Sequence, residues 1–105
     1  MELSELNELL NGLDIPVAYS HFKDLTETPF LIYYVNNENI RGADNKNMLS
    51  EKNIRIELYS DLKNIELEEQ IEKILIEYEL DKNEVYIESE QLLQVSYEFS
   101  MIVKK

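Results

Sequence analysis

A chain of 105 residues with 44% apolar and 30% charged residues has the composition of one folded domain, not that of a disordered tail or a membrane protein. Its 22 acidic and ten basic residues give a net charge of -12, which opposes binding to nucleic acid or anionic lipid over most of the surface. Lack of cysteine excludes a disulfide framework and a thiolate metal site. No run reaches the roughly 18 apolar residues of a membrane span. Met1 to Leu6 shows neither a basic region nor a hydrophobic signal core, so the protein is expected to stay in the compartment where it is made.

Leu3, Leu6, Leu9, Leu10 and Leu13 predict a short first helix, with Ser4 placed to cap it and Gly12 to end it in the left-handed conformation. After Pro16, Val17 to Phe22 alternates weakly over the length of a strand. Lys23 to Pro29 reads as a polar loop delivering Phe30 to Val35, an almost unbroken apolar and aromatic run expected to form a central strand covered on both faces. Asn36 to Ser50 has no period and is rich in asparagine, so it reads as a loop. A loop of about 15 residues is unusual in so small a domain and is more often functional or disordered than merely connecting, which makes this stretch the first interface candidate.

Asn53 to Leu80 is the unit around which the rest is organised. Ile54, Ile56 and Leu58 alternate with Arg55 and Glu57, the pattern of a strand with one buried and one wet face. Asn64 is placed to cap a helix whose stripe of Leu67, Ile71, Ile74, Leu75 and Tyr78 needs a sheet to cover. Glu66 and Glu68 fall in its first turn, where the helix dipole favours carboxylates. Beyond a polar turn at Asp81 to Asn83, Val85 and Ile87 alternate with Tyr86 and Glu88 as a fourth strand. Leu93, Val95, Tyr97, Phe99, Met101 and Val103 then alternate with Gln94, Ser96, Glu98 and Ser100 in the clearest strand of the chain. At about 3.3 Å per residue this strand reaches roughly 36 Å, more than a small sheet needs, so its surplus edge either frays or pairs with another chain. The expected fold is α+β: a single-layer mixed or antiparallel sheet of about five strands with two helices packed on it, in the order α-β-β-β-α-β-β, as one domain over residues 1–105.

Chemistry is sparse. His21 is the only histidine, which excludes catalytic dyads or zinc sites built from several histidines, and on a strand it reads as structural. Glu66, Glu68, Glu69 and Glu72 point in different directions around a helix and do not converge on an ion. Gly42 to Lys46 has one glycine where a phosphate cradle has several. Tyr33, Tyr59, Tyr78 and Tyr97 fall at core or half-core positions, and the basic residues are too scattered for a groove that stacks single-stranded nucleic acid. No enzyme, metal or cofactor is expected.

Taken together, Pro16 to Phe22, Gly42 to Asn45, Ile54 to Asp61, Tyr86 to Glu90 and Gln94 to Glu98 resemble small tail proteins of Gram-positive siphophages and prophages, over nearly the whole chain. The resemblance is to the tail-terminator or tail-completion class. It implies a ring, commonly hexameric, that caps the tail tube and meets the head connector, in the host cytoplasm during assembly and at the neck end of the virion tail afterwards. It implies tail-tube and head-connector proteins as partners, with no sequence-specific nucleic-acid binding and no membrane. Subunit contacts are then expected at Asn39, Arg41, Asp44, Asn45, Lys46 and Met48 in the long loop, and at Met101 and Val103 in the final strand. The competing reading is an acidic protein-binding module that mimics the charge of nucleic acid.

Overall fold

The structure, a computed structural model, describes residues 1–43 and 47–104. Two helices, α1 (Leu3–Asn11) and α2 (Ile65–Ile74), pack on a sheet built from β1 (Val17–Tyr19), β2 (Phe30–Ala43), β3 (Asn47–Ser60), β4 (Asp81–Ile87) and β5 (Leu92–Lys104). The strands lie in the order β1-β2-β3-β5-β4, with β1 parallel to β2 and every other neighbour antiparallel. This is the α+β order read from the sequence. No helix among the described residues is long and apolar enough to cross a membrane.

The core forms where the two periodicities meet. Leu6 and Leu10 of α1 and Leu67 and Ile71 of α2 are buried against Leu31, Tyr33, Ile54, Ile56, Leu58, Val95, Tyr97 and Phe99, the inward residues of β2, β3 and β5. The α2 stripe therefore faces the strands that its spacing requires, with Leu75 buried and Ile74 and Tyr78 packed at the margin. Asn64 caps α2 as expected, its side-chain oxygen accepting the Leu67 N–H at 3.1 Å. Tyr78 lies beyond the helix end, in a turn, and rests its ring on Phe99 with centroids 5.0 Å apart.

Several local expectations are corrected. Glu2, not Ser4, is the N-cap of α1, and Gly12 closes the helix with φ -74°, in the right-handed region. Gly12 is small for another reason: a Cβ there would come within 3.3 Å of the Leu9 carbonyl oxygen. The left-handed residue is Asp14, φ 62°, a short polar type that tolerates it. β1 stops at Tyr19 because Ser20 turns away with φ 72°, donating its N–H to the Tyr33 carbonyl, so His21 lies exposed in a loop and not on a strand. β4 begins at Asp81 and absorbs the residues read as a turn. β2 is covered on one face only: its outward residues Phe30, Ile32 and Tyr34 are half-buried on a side without helices.

The largest correction concerns Asn36 to Ser50. Most of this stretch is strand, the outer halves of β2 and β3, paired from Asn37↔Asn53 to Ala43↔Asn47. The register slips once, between Val35 and Asn37, where a bulge moves β2 from odd to even residues on the helix side.

Candidate assembly surfaces

Beyond the helices, β2, β3 and β5 continue together as a three-stranded arm, β5 pairing with β3 as far as Leu49↔Lys104. At about 3.4 Å per residue, the seven-residue ladder from Asn37 to Ala43 projects roughly 24 Å. The molecule is accordingly elongated, 51 × 26 × 22 Å. A run of polar groups crosses the root of the arm: Ser100 Oγ donates to Asn53 Oδ1 at 2.6 Å, and Asn53 Nδ2 donates to Asn37 Oδ1. On the helix side Ser50, fully buried, donates to Glu38, whose carboxylate also meets Lys52 Nζ at 3.6 Å.

Both edges of this arm are open among the described residues. β1 pairs with β2 only at Leu31, Ile32 and Tyr33, so β2 from Asn36 onward has no outer neighbour. β4 meets β5 no further than Asp81↔Glu98, so β5 from Phe99 onward has none either. Open edges of this kind offer unpaired N–H and C=O groups to another strand. The surplus length of β5 is thus half accounted for, with one side on β3 and the other bare.

The residues expected at subunit contacts divide. Asn39 and Arg41 are exposed on the arm, on the side facing away from the helices, where they share a shallow depression with Leu49, Glu51 and Ile102. Val103, half-buried, sits opposite Ser50 on the helix side. Met101 is fully buried and belongs to the core, so it anchors the arm's root to the body and has no surface with which to meet a partner. Met48 pairs with Gly42 in the ladder. Asp44, Asn45 and Lys46 lie outside the described residues.

A second surface lies at the opposite end of the helix-free face, where sequence reasoning found nothing. The loop after β1 folds over the start of β2 and leaves an apolar groove of about 730 Å³ whose floor includes Phe22, Phe30, Ile32 and Leu92. Phe30 meets Phe22 edge-on at 5.5 Å and stacks on Tyr59 at 5.1 Å. Thr28 Oγ1 ties the loop to the end of β3 by donating to Asp61 at 2.8 Å. Leu25 at the loop's tip is wholly exposed, and Asp24, Glu27 and Glu90 make the rim acidic. Beside the groove, the nearly buried Glu57 carboxylate accepts from Arg55 Nε at 2.6 Å and from the hydroxyls of Tyr59 and Tyr34 at 2.8 and 3.2 Å. Burial pushes the Tyr59 hydroxyl up to about 12, opposed by the hydrogen bond from Gln94 and reinforced by Glu57.

A third cluster lies between α2 and β4. Glu68 Oε1 accepts from Lys63 and Lys82, each at 2.8 Å, while Lys82 also reaches Glu72 at 2.8 Å and lies over the Tyr97 ring. Tyr97 donates to Glu72 at 2.7 Å. Burial raises the Glu68 carboxyl, but the two ammonium groups outweigh it and hold it below the ordinary value. These groups pair with one another as in a structural ion cluster, although both lysines converge on Glu68 Oε1 and Oε2 is buried without a hydrogen-bond partner among the described residues. Among the described residues, no group of three or more histidines and carboxylates is placed to hold a metal ion.

No family model matches the sequence, and no curated protein is similar to it. The fold is shared with solved structures. A chain from the virion of a native gene transfer agent particle superposes with a TM-score of 0.54 over 95% of this chain and 84% of that one, at 8% identity. That degree of likeness establishes a common fold.

Proposed function

We propose that this is a structural assembly protein of a phage or prophage tail, one that caps the tail tube and joins it to the head connector as an oligomeric ring, commonly a hexamer. The observation that carries this reading is the arm: a ladder that outruns its own helices and leaves two strand edges without neighbours. The fold shared with a chain of a virion particle supports it, as does the resemblance of the sequence motifs to small tail proteins. On this reading the role is structural, the partners are further copies together with tail-tube and head-connector proteins, and the location is the host cytoplasm and then the neck of the virion.

Charge sets the terms of such an assembly. Six copies at -12 each carry about -72, and repulsion of that size opposes closure unless the contacts are apolar or use the few cations. The screening length falls from about 10 Å at 0.1 M salt to about 3 Å at 1 M, so assembly rises with ionic strength. An acidic lumen repels DNA phosphates and lets a genome pass without adhering. The test is light scattering across a salt series, with and without the tail-tube protein, alongside DNA retention on a gel. A strict monomer under every condition refutes the ring, and tight DNA retention refutes the acidic lumen. A stable one-to-one complex with a basic protein, without self-association, would assign the chain to the charge-mimicking class instead.

A further inference from the structure

The chain's charge is unevenly placed. Residues 36–53 and 100–105 hold five of the ten basic residues but only three of the 22 acids, a net +2, which leaves -14 for the rest of the chain. The groove rim at Asp24, Glu27 and Glu90 belongs to that acidic remainder, with Lys23 the one cation in its loop. The arm carries the complementary pattern on its helix-free side: the Arg41 side chain is 76% exposed, and beside it Leu49 and Ile102 are 43% and 65% exposed. Among the described residues Arg41 makes one ion contact, a long one to Glu51 at 3.9 Å, and its side chain stays largely exposed.

Distance decides between contact within one copy and contact between two. Phe30 in the groove and Arg41 on the arm stand at opposite ends of β2, eleven residues apart in an extended strand, or about 36 Å. No copy reaches its own groove. We infer that the arm of one copy seats its Arg41–Leu49–Ile102 face in the apolar, acid-rimmed groove over Phe30 of the next copy. The contact is head-to-tail, uses a different surface on each partner, and leaves every copy with one arm to give and one groove to fill, the arrangement that closes into a ring when the rotation permits. It also places the apolar patch and the local cation where the mutual repulsion of two bodies at -12 is offset. This inference rests on the self-assembling reading above and specifies its contact.

Reversing the rim with Asp24→Lys and Glu90→Lys changes the net charge from -12 to -8, so general repulsion alone predicts tighter assembly. Seating of the arm predicts the opposite: self-association measured by sedimentation weakens about tenfold or more, because a cation now meets a cation. Arg41→Glu alone also weakens it, and the three changes combined in one chain restore most of the loss, a coupling that separate effects do not give. All three positions are exposed, circular dichroism checks each fold, and Arg41→Gln provides a milder variant. If the rim variant assembles more tightly than the parent and the combined variant is merely additive, the arm-in-groove contact is wrong while the ring stands. If Leu25 and Leu92 become protected from hydrogen exchange only when the tail-tube protein is added, the groove belongs to that partner and the inference is overturned. A parent chain that is monomeric throughout overturns both readings.

Discussion

Ile71→Ala probes the joint between α2 and the sheet. Ile71 is fully buried at the middle of the helix, within the cluster that contains Ile56, Leu58 and Tyr97. The change removes three carbon groups from a site without water, worth about 0.8 kcal/mol each in transfer alone, or about 2.4 kcal/mol. The cavity left behind adds to this and places the cost at roughly 2 to 5 kcal/mol, against which the better helix propensity of alanine returns only a few tenths. For a domain of this size, each kcal/mol lowers Tm by about 4 to 8 °C, so a fall of at least about 8 °C is expected. Ile76→Ala is the matched control, since that side chain is 79% exposed and the same deletion there is worth about 0.5 kcal/mol or less. Thermal unfolding followed by circular dichroism measures both. Equal shifts for the two variants would show that α2 does not cover the sheet as described, and the account of the core would fall with it.

Three further perturbations test other parts of the fold. The Glu68 and Glu72 carboxyls are both held low, Glu68 by Lys63 and Lys82 against the opposing effect of burial, and Glu72 chiefly by Lys82. Their contribution to stability is therefore complete above the ordinary value of 4.5 and is lost as pH falls through the depressed folded values; Glu68→Gln should flatten the acid limb of a Tm-against-pH curve, whereas the exposed Glu69→Gln should not. One tyrosine should ionise near pH 12 by ultraviolet absorbance in the folded protein, and loss of that transition in Tyr59→Phe identifies it. At Asp14, held at φ 62°, valine should cost about 1 to 2 kcal/mol while glycine is tolerated; denaturant unfolding that shows valine to be neutral contradicts the left-handed backbone there.

The sequence displays some of this fold openly and hides the rest for physical reasons. The alternation of β3 and β5 and the stripe of α2 are legible because each follows from burial of one face, which a short window of residues records. The arm is not, since Asn36, Asn37, Asn39 and Asn47 are poor strand formers taken singly. They are held in strands because β3 finds partners on both sides along its length, a long-range pairing that local propensity does not report. Met101 illustrates the same limit: alternation places it on the inner face, yet whether that face is covered so far along depends on the arm's root packing onto the body. The groove depends on a loop folding over Phe30, into which it runs, and toward Tyr59, some thirty residues further along the chain, and the signs of it in the sequence are an apolar Phe22 and Leu25 within a polar stretch.

The continuity of β3 and β5 from body to arm has a mechanical consequence. Neither strand is interrupted at the root, and the one bulge there lies in β2 alone. A joint that bends freely needs a few residues able to absorb a change of backbone angle in every strand that crosses it. Here two of the three strands offer none, so a load applied at the tip travels as shear along the paired ladder and arrives beneath both helices. The arm is a lever rather than a tether: a force on its outer ladder turns the body with it.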